Sequence, residues 1–346
     1  MIANRWFLLT PQQRLIISSL TICLITCVLL IFNLQRGEPD INLSQFWTLL
    51  IFEPLSGQDD TAYFLLHELR LPRAILTLAC GLALGMAGVL MQDSLRNPLA
   101  DPSLLGIAQG ASFTMALAYI YPEWVPDIPL PFLSLLSAFC VGLMVLASCG
   151  SIRNTSRMIL AGAICSGFFG VLTSAVILLS PPDRLANGLG DFLRYTAGSF
   201  SNLYWEQLKM IAPWLIFALP IAWFSGRTLN LLQLGDEMAI SAGLNPRQAR
   251  IILLLLALVL VAPVLASAGP IAFIALFAPH IARGLLAKSD ARYTLLVSAL
   301  SGALLLCAAD TLGRLLLFPL EVPAGIWTIV LIGPLAIALI GRRIRN

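Results

Sequence analysis

Apolar runs long enough to cross a lipid bilayer recur along almost the whole chain. A membrane-spanning helix needs about 20 mostly apolar residues, and such segments lie at residues 14–33, 73–92, 103–121, 130–150, 157–180, 206–226, 251–268, 271–287, 293–315 and 324–341. Charged residues make up only 11% of the chain, whereas a soluble domain has about 25%. The sequence therefore predicts an all-α integral membrane protein with about ten membrane-spanning helices. Residues 1–346 are expected to form a single transmembrane domain.

Two of these segments allow more than one interpretation. Only Ala268-Gly269-Pro270 separates the seventh segment from the eighth. If both cross the membrane, the number of crossings is even and the two termini lie on the same side. The first segment could instead be a signal peptide. Its apolar core from Leu15 to Phe32 is longer than a usual signal core, and no clear cleavage site follows it, so we expect a retained helix.

Basic residues are unequally divided between the two sides that this topology creates. The side with both termini has fourteen: Arg5, Arg14, Arg96, Arg153, Arg157, Arg227, Arg247, Arg250, Arg283, Lys288, Arg292, Arg342, Arg343 and Arg345. The other side has seven: Arg36, Arg70, Arg73, Arg184, Arg194, Lys209 and Arg314. Because loops rich in lysine and arginine stay in the cytoplasm, we expect both termini to be cytoplasmic.

Few side chains within the predicted spans could carry chemistry. The chain has only two histidines, and its seven cysteines lie in apolar runs without zinc-type spacing, so no metal site is expected. Asp310 is the main charge inside a span. Ion-coupled carriers usually keep ionisable groups at membrane depth, and an intramembrane enzyme needs a reactive cluster there, so both alternatives are disfavoured. A net charge of +3 gives no basic footprint for nucleic acid.

Three glycines in the second segment lie near one helix face. Gly81, Gly85 and Gly88 recur at helical spacing. Small residues on one face let the backbones of neighbouring membrane helices approach closely. We therefore expect this face to pack tightly inside a helical bundle.

Three stretches of the chain share the order and spacing of one known family. The first is RLPR at 70–73, followed by Gly81, GVLMQ at 88–92 and RNPLADPSLLG at 96–106. The second is GPIAFI at 269–274, followed by APHIAR at 278–283. The third is ADTLGR at 309–314, followed by EVPAG at 321–325. This combination resembles the permease subunits of binding-protein-dependent ABC importers for iron chelates, haem and cobalamin, the FecCD family. Ala275 replaces the glycine usual in the second stretch. Before residue 70 only one span and an outer loop are shared.

The resemblance implies a type II ABC importer permease fold in the bacterial inner (cytoplasmic) membrane. The chain would be a non-catalytic subunit that translocates an iron chelate such as a ferric siderophore, with haem or cobalamin as alternative cargoes. A more distant alternative function is an ion-coupled secondary transporter. Because the sequence has no Gly-x-x-x-x-Gly-Lys-[Ser/Thr] P-loop, ATP must be hydrolysed by a partner. Expected partners are two ATP-binding subunits, a periplasmic or lipid-anchored substrate-binding protein and a second, identical or homologous, permease chain. No cofactor is expected to bind directly.

Three arginines correspond to the family's contacts with the binding protein. The resemblance gives this role to Arg70, Arg73 and Arg314. Arg70 and Arg73 are three residues apart at a helix start and therefore project from the same face, and Pro72 suits an early helical position. Arginine also fits the role chemically, because its planar fork binds a carboxylate through two hydrogen bonds.

The loop at about 227–250 corresponds to the family's contact with the ATPase. Asp236, Glu237, Ala239 and Gly243 follow the family's pattern E-x-A-x-x-x-G with its preceding acid. Acidic residues favour a helix N-terminus, and a glycine can end a helix in the left-handed conformation. We expect a short helix that fits a groove of an ATPase subunit.

The resemblance also assigns a cytoplasmic gate. Asn97 and Leu99 follow the second span and match positions that narrow the cytoplasmic mouth. Thr155 and Ser156, before the fifth span, match a second constriction.

Overall fold

Helices account for all the regular secondary structure in residues 9–37, 40–51, 60–148, 155–286 and 290–344, which the computed structural model describes. The α-helices are α1 Pro11–Gln35, α2 Leu43–Ile51, α3 Asp60–Phe64, α4 Leu71–Ser94, α5 Ile107–Ile120, α6 Leu130–Ser148, α7 Thr155–Leu179, α8 Pro182–Thr196, α9 Trp205–Phe224, α10 Gly226–Gln233, α11 Asp236–Ser241, α12 Pro246–Ala268, α13 Ile274–Leu286, α14 Ala291–Leu315 and α15 Ala324–Ile344. A π-helix, Leu65–Arg70, joins α3 to α4, and 3-10 helices cover Pro102–Leu105 and Pro122–Trp124.

Each predicted membrane segment coincides with a helix. Within the described ranges, 7 helices are long and apolar enough to cross a membrane: Pro11–Gln35, Thr61–Ser94, Leu130–Ser148, Arg157–Leu179, Trp205–Gln233, Pro246–Ala268 and Ala291–Leu315. The remaining segments correspond to α5, α13 and α15, whose described apolar parts are Ile107–Ile120, Ile274–Leu286 and Ala324–Ala336. The prediction of an all-α membrane protein with about ten helices is confirmed, with α5 and α13 shorter than the predicted segments 103–121 and 271–287.

Helix α13 is shorter than the predicted segment 271–287 because the chain before it is not helical. Gly269, which ends α12, has φ 76°, and Phe273 has φ 66°. A helix of 13 residues is about 20 Å long, less than the hydrocarbon core of about 30 Å. Helix α13 starts where the carbonyl of Ala275 meets Gly88, so it lies beside the last turns of α4.

Helix α4 is the centre of the bundle, and glycines set its distance from α14. A Cβ built on Gly81 would lie 2.5 Å from the Cα of Ala303, and one on Gly85 would lie 2.2 Å from the carbonyl oxygen of Ser298. The Ser298 hydroxyl donates to the carbonyl of Gly85 at 2.7 Å. Any side chain larger than hydrogen would force the helices apart. The expected close packing of this glycine face is therefore confirmed.

Helices α1 and α7 lie at the outside of the bundle. Only 17% of the apolar window of α1 and 11% of that of α7 is buried within the chain. Helix α7 exposes Ile164, Val171 and Leu178, and no atom lies within 4 Å of a Cβ built on Gly167 or Gly170. These surfaces face lipid or another apolar chain.

Contacts divide the bundle into two ends. The arginine end is the end that contains Arg70, Arg73 and Arg314; the opposite end contains α10, α11 and residues 92–99. Helix α4 runs from the arginine end to the opposite end, and α14 runs back. Arg73 of α4 accordingly meets Asp310 near the end of α14, whereas Asp290, which caps the start of α14, accepts a hydrogen bond from Asn230 of α10.

Candidate functional sites at the two ends of the bundle

The three predicted docking arginines lie together at the arginine end. Arg70, Arg73 and Arg314 line one cavity of about 360 Å³, together with Glu321 and the loop 200–204. Arg70 is the last residue of the π-helix and Arg73 lies in the first turn of α4. Antiparallel packing of α4 and α14 brings Arg314 to the same place. The structure thus assembles the predicted set around a single concave surface.

Arg73 is already paired within the chain. Its Nη2 donates to Asp310 Oδ1 at 2.8 Å, its Nε lies 3.1 and 3.2 Å from the two Asp310 oxygens, and its Nη1 donates to Glu321 at 3.0 Å. The side chains of Arg73 and Asp310 are 13% and 4% exposed, whereas that of Glu321 is 45% exposed. Asp310, the main intramembrane charge in the sequence, is therefore half of a buried ion pair. Because Glu321 is the more exposed of the two partners, an acidic side chain of another protein would reach Arg73 most easily by replacing Glu321.

Arg70 and Arg314 are held by the end of α1. Arg70 Nη1 donates to the carbonyl of Leu34 at 2.9 Å, and Arg314 Nη1 donates to the side-chain and backbone oxygens of Asn33. Carbonyl groups at a helix C-terminus carry partial negative charge, which favours cations. The two guanidinium groups are thus positioned by helix α1, a helix that the sequence motifs did not include.

A glycine turn after α1 completes this side of the cavity. A Cβ built on Gly37 would lie 2.9 Å from Arg70 Nη2 and 3.3 Å from Arg314 Nη2, and Gly37 has φ 135°. Asp40 closes the turn, since it accepts from the Gly37 N–H at 3.0 Å and from Arg36 at 2.9 Å. These two hydrogen bonds lower the pKa of Asp40. The Gly37 turn was missed from sequence, where its only signal is a glycine shortly after an apolar run.

The predicted coupling segment forms a short exposed helix at the opposite end. Helix α11 lies between Gly235, with φ 118°, and Gly243, with φ 81°. The expectation of a short helix ended by a left-handed glycine is confirmed. Leu234, Met238 and Ile240 are exposed around it. They form an outward apolar surface beside the exposed Glu237.

Two of the predicted coupling residues face inward instead. Ala239 is fully buried, so it seats α11 on the bundle and does not reach a partner. Asp236 accepts from Arg96 Nη2 at 2.7 Å and from Arg250 Nη2 at 2.6 Å. Within the chain, Asp236 and Ala239 therefore anchor α11 to the bundle, and the coupling role of Asp236, Glu237, Ala239 and Gly243 stays a prediction.

A second acidic anchor lies beside the first. Asp93, at the end of α4, accepts from Arg283 at 2.9 Å and from Gln233 at 2.9 Å. Arg283 also donates to Gln92 at 2.6 Å. Asp93 and Asp236 are thus both held by arginine, and among the residues that the structure describes no three His, Cys, Asp or Glu side chains could hold a metal ion.

The residues of one of the two predicted constrictions lie within the described part of the chain. Asn97 lies directly after α4, where its side-chain oxygen accepts from the Leu99 N–H at 3.0 Å, and Leu99 is exposed. Helix α7 begins at Thr155, but the side chains of Thr155 and Ser156 and all of residues 149–154 lie outside the described residues. Both constrictions therefore stay predictions.

Comparison with known proteins identifies the relatives of this chain. It is 36% identical over 329 residues to the Fe(3+)-citrate import system permease protein YfmE of Bacillus subtilis, covering 93% of this chain and 94% of that protein. It is 33% identical to the hemin transport system permease protein HmuU of Yersinia pestis, with 96% and 97% of the two chains covered. It is also 33% identical to the ferric enterobactin transport system permease protein FepG of Escherichia coli, with 92% and 96% covered.

A solved structure shares the whole fold. The structure of a transporter assigned to the metal-chelate type of ABC transporters, in an inward-facing conformation, matches with a TM-score of 0.81 at 25% identity and covers 94% of this chain and 98% of that one. The sequence profile of the FecCD transport family matches residues 24–342. The chain is therefore a multi-pass membrane protein of the FecCD transport family.

Proposed function

We propose that this chain is the permease subunit of a binding-protein-dependent ABC importer that moves an iron chelate across the bacterial inner membrane, powered by ATP hydrolysis in a partner subunit. The observation that supports the proposal is an arginine-lined cavity at one end of a bundle of membrane-length helices and a short helix with exposed apolar side chains at the other. The relatives support it, because their names describe import or transport permeases for iron citrate, hemin and ferric enterobactin.

The arginine end would face the periplasm and receive the binding protein. The excess of arginine and lysine on the other side supports this orientation, which also places both termini in the cytoplasm. Three guanidinium groups around one cavity suit acidic side chains of a partner, since charge-assisted bonds between arginine and carboxylate are strong and directional. Glu321 occupies one of these positions in the unbound chain and would be exchanged on docking.

The opposite end would bind the ATPase through helix α11. Leu234, Met238 and Ile240 expose apolar surface that would be buried in a groove of the partner. Asp236 and Ala239 would transmit force, because they fix α11 to the rest of the bundle. Two ATPase subunits are expected, one for each of two permease chains.

A second permease chain would pack beside α7. Ala163, Gly167, Gly170 and Ser174 recur on one face of this helix, and open space surrounds Gly167 and Gly170. Small residues are typical of close helix contacts in membranes. The cargo would pass between the two chains, which are either identical or homologous.

The cargo class that we propose is an iron chelate, with ferric siderophores and ferric citrate as the first candidates. The iron-citrate, enterobactin and hemin relatives have similar identities to this chain, so haem and cobalamin are alternative outcomes of the test. Uptake by proteoliposomes that contain the permease, the ATPase and the binding protein should be measured with each labelled chelate. Uptake without internal ATP, or by the permease alone, would refute the ABC importer function.

The docking role can be tested separately. Arg314→Gln and Arg70→Gln are expected to weaken binding-protein affinity about tenfold or more, because each removes a charged donor. Glutamate at position 73 is unsuitable, since it would lie beside Asp310 and Glu321. Lys209→Gln, an exposed basic position at the same end, is the matched control and should leave affinity unchanged. Equal affinity for all three variants would contradict the docking site.

A further inference from the structure

Two residues after the last residue of helix α4, an arginine adopts a backbone conformation that usually requires glycine. Arg96 has φ 49°. The Asn97 N–H donates to the Gln92 carbonyl at 2.9 Å, and the Arg96 N–H donates to the Asp93 carbonyl at 3.3 Å. This pair of hydrogen bonds is the Schellman motif, in which the left-handed position is usually glycine. A residue with a side chain is disfavoured there by about 1–2 kcal/mol, so something else must hold Arg96 in place.

The segment that leads into α11 provides that support. Both Nε and Nη2 of Arg96 donate to the Leu232 carbonyl, at 3.1 and 2.6 Å, and Nη2 also donates to Asp236 at 2.7 Å. Arg250 closes the arrangement, because it binds Asp236 and donates through Nε to the Ser94 carbonyl at 3.0 Å. The end of α4 and the start of α11 are therefore joined through side chains that meet at one carboxylate.

The strained residue directly precedes the predicted gate. Asn97 and Leu99 follow Arg96 in the chain, and the Leu99 N–H is held by the Asn97 side chain at 3.0 Å. The φ angle of Arg96 sets the direction in which this loop leaves α4. A change at Arg96 would therefore move Asn97 and Leu99 first.

We infer that Arg96 is a positioning residue that links the ATPase-contacting helix α11 to the cytoplasmic gate; the inference rests on the proposed function. While α11 is seated, Leu232 and Asp236 hold the Arg96 side chain, and the left-handed cap keeps the Asn97–Leu99 loop in place. When ATP binding in the partner displaces α11, Arg96 loses these acceptors. The unsupported backbone then leaves the left-handed region, and the gate loop is redirected.

Comparing Arg96→Gly with Arg96→Ala separates the loss of the guanidinium contacts from the strain of the left-handed backbone. Both variants remove the guanidinium group, but only glycine tolerates the left-handed conformation without cost. In proteoliposomes with ATPase and binding protein, Arg96→Gly should keep wild-type thermal stability and ATP hydrolysis, while transport per ATP falls at least tenfold. Arg96→Ala should show the same loss of coupling together with lower thermal stability.

A reporter on the gate distinguishes linkage from a general structural defect. Leu99→Cys, in a background without the native cysteines, should change its labelling rate with a membrane-impermeant maleimide when ATP and vanadate are added. In Arg96→Gly this ATP-dependent change should disappear. Arg227→Ala, which alters an exposed arginine of α10 at the same end, is the control and should behave as wild type.

The outcomes separate the two proposals. If the wild-type assembly shows no ATP-driven uptake, the proposed function fails. If the wild type transports and Arg96→Gly retains both its transport per ATP and its labelling change, the inference about Arg96 is wrong. Should Arg96→Gly not assemble, Arg96→Met decides, since it removes all the donor contacts to Leu232 and Asp236 but leaves Asp236 paired with Arg250. Normal transport per ATP in Arg96→Met would likewise overturn the inference.

Discussion

Removing the carboxylate of Asp310 should destabilise the folded chain strongly. Asp310 receives Nε and Nη2 of Arg73 at 2.8 to 3.2 Å, and both side chains are almost fully buried. Deleting one partner of a buried ion pair leaves an uncompensated charge and costs about 3–5 kcal/mol. Glu321 still contacts Arg73 at 3.0 Å, so the lower limit applies. We expect Asp310→Ala to lower the free energy of unfolding by about 3 kcal/mol, about a hundredfold in the equilibrium constant.

Two further variants separate charge from hydrogen bonding. Asp310→Asn keeps one oxygen that can accept from Arg73, and should cost about 2 kcal/mol, close to the loss of one charge-assisted hydrogen bond. Arg73→Met combined with Asp310→Leu removes both charges. Replacing a buried pair by apolar side chains of similar volume is often neutral or stabilising, so the double variant should recover most of the loss.

Reversible unfolding in a titration of dodecyl sulfate against a mild detergent, followed by tryptophan fluorescence, would give these free energies. Glu321→Gln is the internal control, because that half-exposed contact is worth less than about 1 kcal/mol. A loss below about 1 kcal/mol for Asp310→Ala, or a double variant less stable than Asp310→Ala, would refute the reasoning that a buried ion pair joins α4 and α14.

Three further changes replace glycines whose space or backbone conformation excludes a side chain. Gly85→Ala should destabilise the bundle by about 2 kcal/mol or more, because its Cβ would collide with α14. The control Gly190→Ala has open space around it and should not destabilise the bundle; thermal unfolding of both variants tests the difference. Gly243→Ala should lower transport per ATP several-fold, because the φ of 81° at this position costs alanine about 1–2 kcal/mol. An unchanged ratio of transport to ATP hydrolysis in reconstituted vesicles would contradict the role of α11. Gly37→Ala should displace the Arg70 guanidinium, 2.9 Å from the new Cβ, and weaken binding-protein affinity; unchanged affinity by surface plasmon resonance would disprove it.

The sequence was sufficient where a local rule governs the structure. Apolar run length located every span, because lipid requires about 20 apolar residues in a helix that crosses it. Helical spacing placed Gly81 and Gly85 on a packing face, since small residues are needed wherever two backbones touch. The acids before α11 and the glycine after it marked both ends of a six-residue helix.

Contacts between distant segments could not be read from the sequence. Arg73 and Asp310 are 237 positions apart, and only the antiparallel packing of α4 on α14 makes them neighbours. Asp236 was expected to favour the start of α11, but its pairing with Arg96 and Arg250 could not be inferred from the sequence. Residues 271–273 were predicted to be helical because Ile271, Ala272 and Phe273 are apolar, but their backbone is not helical.

The close contact of Gly85 with Ser298 would be the pivot of any rigid tilt of the long helix α4. Arg73 is 12 positions before Gly85 and Ser94 is 9 after it, which correspond to arms of about 18 and 14 Å. If the helix tilts as a rigid rod about this point, a sideways step of about 2 Å at the arginine end becomes about 1.5 Å in the reverse direction beside Asn97. Such a tilt would carry a displacement from the arginine end to the start of the Asn97 loop through the backbone of α4 itself.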